Sequence, residues 1–194
     1  MNVKEAVREY YNSWNEIPPD HHGYIFHIPQ NIAEMESVCE YLKDRKFDSF
    51  VELGVDRGGS LFVYSNVLCA DNAKIWAVDT VIRPDLRFII EKLKKKFVNT
   101  TFIQNHSHNL APIFNESVEL LHIDAGHSYN PGIKVDWDAW YPKVKSGGVI
   151  LLHDTLDTGH DGPPRLRKEL EQQGFNIKTF GDWHACGISV IIKK

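Results

Sequence analysis

The chain is expected to fold as a doubly wound α/β domain with a mostly parallel sheet, and three observations predict this. Apolar runs rich in strand formers, around residues 50–53, 74–79, 118–124 and 149–152, each end at or beside an acid: Glu52, Asp79, Asp124 and Asp154. Stretches with apolar residues at helical spacing separate them, the alternation of βαβ units. Two further runs, 175–180 and 188–192, joined around Gly181 and Gly187, read as an antiparallel hairpin at one sheet edge.

Along the chain, Val3, Val7, Tyr10, Tyr11 and Trp14 recur at helical spacing until Pro18-Pro19-Asp20 breaks the pattern. His21 to His27 follow as a loop or short strand, and Met35, Val38, Tyr41 and Leu42 mark a second helix to about Arg45. The first core strand ends in a turn with Gly54, Gly58 and Gly59. Ser60 is the expected N-cap of a helix carrying Leu61, Tyr64 and Leu68. After the second strand, Leu86, Ile89, Ile90, Leu93 and Phe97 form an amphipathic helix, and Thr101–Ile103 a third strand. The fourth strand ends at Asp124, before a helix bearing Ile133, Trp137, Trp140, Tyr141 and Val144. Lys145-Ser146-Gly147-Gly148 reads as a turn into the fifth strand, and Leu166 and Leu170 mark a last helix closed by Gly174. Residues 1–46 are expected to supply two helices and a substrate-covering segment, and 47–194 to assemble the cofactor site.

With 194 residues, 42% of them hydrophobic, one globular domain with a continuous core is expected. A net charge of −4 and a pI near 6.2 argue against a nucleic-acid groove. The basic run Lys92 to Lys96 lies on a predicted helix and reads as its solvated face. Cys39, Cys69 and Cys186 are far apart and lack metal-site spacing, so a reducing, cytoplasmic setting is expected. The N-terminus lacks the basic-then-apolar pattern of a signal peptide, and no 18-residue apolar stretch occurs, so no membrane span is expected. His21 and His22 are adjacent and cannot easily converge on one ion, which favours a surface or substrate-lid loop. A homo-oligomer stays open.

The first strand and its turn carry the cofactor chemistry. Glycines between a strand and a helix N-terminus let a ligand approach the backbone and meet unpaired N–H groups. A dinucleotide fingerprint reads G-x-G-x-x-G, whereas this turn reads Glu52-x-Gly54-x-x-x-Gly58-Gly59. A carboxylate there would repel a pyrophosphate but suits the ammonium and sulfonium of S-adenosylmethionine. Asp79 falls at the top of the adjacent strand, where it can accept two hydrogen bonds from ribose hydroxyls, with Thr80 beside it. His106 and Ser107, after the third strand, are placed to border an adenine.

The turn resembles motif I of the class I methyltransferases, a Rossmann-like fold. The run Leu120 to Tyr129, continued through Trp140, Pro142, Gly147-Gly148 and His153-Asp154, resembles their small-molecule and sugar O-methyltransferase branch. In that branch the fourth strand ends in an IDGxHxY signature and the fifth in HD. Ala77–Thr80 and the tail from Arg165 to Gly187 also match, so the resemblance covers residues 48 to 192. Similar proteins include macrocin-type methyltransferases and cephalosporin-hydroxylase-like proteins. The resemblance implies an S-adenosylmethionine-dependent enzyme acting on a small hydroxylated acceptor. Glu52, Gly54, Gly58, Gly59, Ser60, Asp79, Thr80, His106, Ser107 and Asp124 would lie at the cofactor. It also implies a divalent ion, Mg²⁺ or Mn²⁺, at Asp124 and Asp154 with His153, although His153 stands where a carboxylate is usual.

Methyl transfer needs a hydroxyl held in line with the methyl carbon and a group to take its proton. His127 is the candidate base, with a pKa range suited to neutral pH, and Asp124 the second catalytic candidate. Two rivals remain: an iron-dependent hydroxylase using Asp124, His127, His153 and Asp154, and a non-catalytic cofactor-binding domain on the same fold.

Overall fold

The computed structural model of the chain describes residues 1–16, 27–156, 159–182 and 186–194; the His21-His22 segment lies outside them. A seven-stranded sheet runs in the order β3-β2-β1-β4-β5-β7-β6. β1 (Phe47–Leu53), β2 (Cys69–Asp79), β3 (Thr100–Gln104), β4 (Val118–Ile123) and β5 (Val144–Leu152) are parallel. β6 (Ile177–Phe180) and β7 (Ile188–Ile192) form the expected antiparallel hairpin. β7 lies inside, against β5, and β6 takes the edge. Burial explains the choice, because Ile188, Val190 and Ile191 are buried whereas β6 is largely half-buried. The strand order reverses between β1 and β4, which opens a crevice at their carboxyl ends.

Among the described residues, seven α-helices flank the sheet: α1 (Val3–Asn12), α2 (Ile32–Tyr41), α3 (Gly59–Leu68), α4 (Pro84–Lys94), the single turn α5 (Ser107–Leu110), α6 (Lys134–Trp140) and α7 (Gly162–Gln172). Side chains alternate across a strand. Phe50, Ile75, Ala77, Leu120 and Leu151 therefore join α1 to α4 in one core. Val51, Leu53, Val78, Leu121, Ile123, Ile150 and Leu152 join Trp137, Trp140, Leu166 and Leu170 in the other. The same alternation turns Glu52 and its register partner His122 toward the α1–α4 face.

β2 and β5 begin earlier than their apolar runs. Phe47 pairs with Cys69 and Ser49 with Lys74, while Val118 pairs with Val144 and Leu120 with Val149. Residues 70–73 and 145–148 thus bulge from the ladder. The expected turn at Lys145–Gly148 survives as such a bulge, and Val144 starts β5 instead of ending a helix. No helix among the described residues is long and apolar enough to cross a membrane.

The N-terminal helix is not a detachable cover. Asn2 and Glu5 close a capping box, each bonding the other's backbone N–H at 2.9 Å. Val3, Ala6, Val7 and Tyr10 are buried in the α1–α4 core. The Tyr10 hydroxyl sits 3.1 Å from the Arg57 carbonyl oxygen and 3.3 Å from that of His27, so it ties the segment before α2 to the glycine turn. α1 therefore shares one core with the strands and helices of residues 47–194. Tyr10→Ala should lower folding stability by about 3–5 kcal/mol, as for other large-to-small aromatic replacements in cores. A urea-unfolding midpoint equal to that of the wild type would show α1 to be an appendage.

Candidate active site

The carboxyl ends of β1, β2 and β4 and the chain leaving β5 open into one cavity of about 710 Å³. Gly54 makes the first turn with φ +80°, and an added Cβ would collide with the backbone carbonyl of Asp124. Its N–H donates to the Val78 carbonyl, and the Asp124 N–H donates to that of Leu53, both at 2.9 Å. Gly59 lies under the N-terminal segment, where a Cβ would meet Ile28 Cγ1 at 2.6 Å.

Three expectations for this turn need correction. Gly58 caps α3 with φ +81°, but its missing Cβ points at Ile89 and Leu86 on α4, at 3.1 and 3.2 Å, and it is not on the cavity wall. It allows α3 to pack on α4 and does not clear room for a methionine moiety. Ser60 is the second residue of α3, not its cap; it lines the cavity and its hydroxyl donates to Glu52. Glu52 has no exposed surface and is not on the cavity wall. Its carboxylate lies beneath the floor, 3.3 Å from His122 Nδ1, because strand alternation aims it at α3. Burial pushes the Glu52 carboxyl above its usual pKa, toward the neutral form.

Asp79 and Thr80 line the cavity as expected. Asp79 is also the clasp of the turn: Oδ2 accepts from the Val55 and Asp56 N–H groups at 2.8 and 2.9 Å, and Oδ1 from Val81 at 3.0 Å. His106 and Ser107 border the same cavity. Ser107 donates to Asp136, and its carbonyl accepts from the Trp140 indole at 3.0 Å, which fixes this corner on the α6 core.

At the other end Asp124, His127, His153 and Asp154 converge. Asp124 Oδ1 lies 3.1 Å from His153 Nδ1 and 3.7 Å from His127 Nε2. Asp154 turns Oδ2 to His127 Nε2 at 2.7 Å and Oδ1 to His153 Nδ1 at 3.5 Å. Asp154 holds a left-handed backbone (φ +57°), a strained conformation for a residue with a side chain, and such strain concentrates at functional sites. The neighbouring carboxylates of Asp124 and Asp154 push His127 up to about 9. Burial opposes a charge on His153, but the same carboxylates outweigh it and raise it to about 10. Burial likewise works against ionisation of Asp124 and Asp154, yet the imidazoles hold both below the usual carboxylate range. The two carboxylates thus favour the imidazolium form of His127 near neutrality, where a neutral ring was expected.

Among the cavity residues not anticipated are Pro29 and Gln30 before α2, Asp136 on α6, and Cys186 before β7. Burial and the neighbouring Asp154 raise the Cys186 thiol to about 11, so it is no thiolate nucleophile at neutral pH. None stands in a motif; each arrives by tertiary packing.

Residues 51–155, more than half of the chain, match the family model described as a methyltransferase domain. The chain belongs to the methyltransferase-domain family. The matched stretch of this methyltransferase domain contains the glycine turn, Asp79 and the cluster from Asp124 to Asp154, but not Gln30 or Cys186. An uncharacterized protein of Sinorhizobium fredii, y4gI, is 30% identical over 117 residues, which are 54% of this chain and only 13% of that protein. Solved structures with the same fold include a Staphylococcus aureus protein provisionally named a caffeoyl-CoA O-methyltransferase, with a TM-score of 0.67 and 14% identity over 100% of this chain and 93% of that one. Podospora anserina methyltransferase PaMTH1, bound to S-adenosylhomocysteine, gives 0.68 and 14% over 98% and 88%. Aeropyrum pernix fibrillarin, bound to S-adenosylmethionine, gives 0.55 and 16% over 80% and 73%. At these identities the likeness establishes the fold.

The cluster of the methyltransferase domain should impose a pH profile on ion-free protein. His127 and His153 have folded pKa values above their unfolded value of about 6.5, so their contribution is whole below that pH and is lost on raising it. The loss runs through about 9 for His127 and about 10 for His153. Asp124 and Asp154 are depressed, so theirs is present above about 3.9 and lost on acidification. Thermal melts in chelator should thus peak between roughly pH 4.5 and 6.5 and decline toward pH 10, with a shallower alkaline decline in His127→Gln. Superimposable alkaline limbs for the two proteins would contradict the assignment.

Proposed function

We propose that the chain is an S-adenosylmethionine-dependent O-methyltransferase acting on a sugar or another small hydroxylated metabolite. The observation that carries this reading is a single cavity joining a glycine turn, clasped by the acid that ends β2, to a cluster of two carboxylates and two imidazoles. Gly54 and Gly59 line the cavity, where their backbone would border the methionine moiety. Asp79 holds the turn through three amides, and its oxygens keep further lone pairs for ribose hydroxyls. Thr80, His106 and Ser107 would flank the nucleoside, leaving the methyl group directed toward Asp124 and His127.

In the transfer the acceptor oxygen forms a bond to the methyl carbon while the carbon–sulfur bond breaks, and the sulfonium leaves as a neutral thioether. The hydroxyl proton goes to His127. Because Asp124 and Asp154 hold a proton on His127 near neutrality, that proton must leave before the next can be taken. Asp154 orients the ring through its 2.7 Å contact with Nε2.

Asp124, His153 and Asp154 fit a divalent ion, since one donor atom from each lies within 4.8 Å of the others and both carboxylates are ionised, and His153 would give up its proton to bind it. An imidazole beside two carboxylates suits Mn²⁺ better than Mg²⁺. Such an ion, when bound, would orient the acceptor oxygens and lower the pKa of the attacking hydroxyl.

A second reading rests on His127, Asp154 and His160, which also present donor atoms within 4.8 Å and match the two-histidine, one-carboxylate set of iron hydroxylases. It gives the Asp79-clasped glycine turn no ligand. Calorimetry with S-adenosylmethionine, NAD and 2-oxoglutarate, each with and without Mn²⁺ or Fe²⁺, separates the readings. Binding of S-adenosylmethionine alone among the three is expected. Fe²⁺-dependent binding of 2-oxoglutarate without affinity for S-adenosylmethionine would overturn the proposal.

A further inference from the structure

The segment before α2 reaches into the site through one side chain. Gln30 is 5% exposed, borders the cavity, and its Nε2 donates to Asp124 Oδ2 at 2.5 Å. Its Oε1 is buried and has no hydrogen-bond partner among the described residues. The two oxygens of Asp124 are thereby divided. Oδ2 belongs to Gln30, while Oδ1 faces His153 at 3.1 Å and His127 at 3.7 Å.

Gln30 does not hang on a loose arm. Pro29 borders the same cavity, Ile28 is buried where Gly59 leaves room for it, and the Tyr10 hydroxyl lies between the carbonyl oxygens of His27 and Arg57. On its other side Asn31 caps α2 by accepting from the Ala33 N–H at 2.9 Å. The backbone is thus held on both sides of residue 30, and the amide is aimed before any ligand arrives.

We infer that Gln30 is a positioning residue for Asp124, holding Oδ2 so that Oδ1 is the oxygen presented with His153 and Asp154 to a divalent ion. The inference rests on the ion reading proposed above. Two independent observations carry it: the hydrogen bond that divides the carboxylate, and the unpartnered Oε1. A buried oxygen without a donor is uncommon in a native structure and calls for an ion, a water or a role. A neutral amide oxygen is also a hard donor of the type found around such ions. Groups that orient a metal-binding carboxylate through a hydrogen bond contribute about ten- to a hundredfold in ion affinity.

The test is Mn²⁺ binding, measured by calorimetry and by loss of the free-ion paramagnetic resonance signal, for wild type, Gln30→Met, Asp124→Asn and the double variant. Gln30→Met keeps the length of the side chain and removes the amide. It should bind Mn²⁺ about ten- to a hundredfold more weakly than wild type with S-adenosylhomocysteine affinity unchanged, while the ion-free melting temperature falls because Asp124 Oδ2 loses its buried donor. In the Asp124→Asn background the same replacement should have little further effect, because the group it positions is gone. If Gln30→Met does not fold, Gln30→Asn keeps the amide on an arm one methylene shorter, and the same loss is expected. Wild-type Mn²⁺ affinity in the variant, or an equal loss in both backgrounds, would overturn the positioning role and leave the ion reading standing. Wild-type protein that binds no divalent ion would overturn both.

Discussion

Gly54 is the point at which the two halves of the cavity touch. The backbone of β1 turns there against the backbone leaving β4, so closely that no side chain fits between Gly54 and the Asp124 carbonyl. Two ladder hydrogen bonds, Gly54 N–H to Val78 and Asp124 N–H to Leu53, fix that approach at 2.9 Å each. The nucleoside end and the carboxylate end of the cavity therefore share a wall of backbone. A ligand reaching from the glycine turn toward Asp124 crosses no flexible joint, and this rigidity is what in-line transfer requires.

Beneath that wall the fold buries polar groups that a purely structural core would avoid. Glu52, Ser60, Tyr64 and His122 are all buried on the α1–α4 side. The Tyr64 ring meets the His122 ring edge-on at 5.3 Å, and His122 lies 6.3 Å from His153. Glu52 Oε2, the Tyr64 hydroxyl and His122 Nε2 have no hydrogen-bond partner among the described residues. Burial raises both the Glu52 carboxyl and the Tyr64 phenol and so favours the neutral form of each. Charge is thus concentrated one step outward, at Asp124, His127, His153 and Asp154.

The fold was legible in the sequence because its signals are local. The apolar runs Phe50–Leu53 and Leu120–Ile123 and the glycines after Leu53 identify strands and turn without knowledge of their neighbours. Asp79, Thr80, His106, Ser107, Asp124, His153 and Asp154 reached the cavity for the same reason: each follows the carboxyl end of a strand. Spacing could not say where a side chain points once the turn is packed. Gly58 faces α4, and Glu52 faces Ser60 and His122. Nor could it reveal the proton on His127, held by Asp154 from another strand end, or Gln30, which meets Asp124 across 94 residues of sequence.

The N-terminal segment thus belongs to the same constraint as the sheet: α1 holds the glycine turn from outside, and Gln30 holds Asp124 from within. The central claim is that one cavity carries both the nucleoside cofactor and a divalent ion. It is tested most directly by a crystal structure of the protein with S-adenosylhomocysteine and Mn²⁺, using the anomalous signal of manganese to locate the ion. The expected result is the nucleoside between Asp79 and His106 and a single strong anomalous peak among Asp124, His153 and Asp154. Manganese bound elsewhere, or the nucleoside outside the glycine turn, would contradict it.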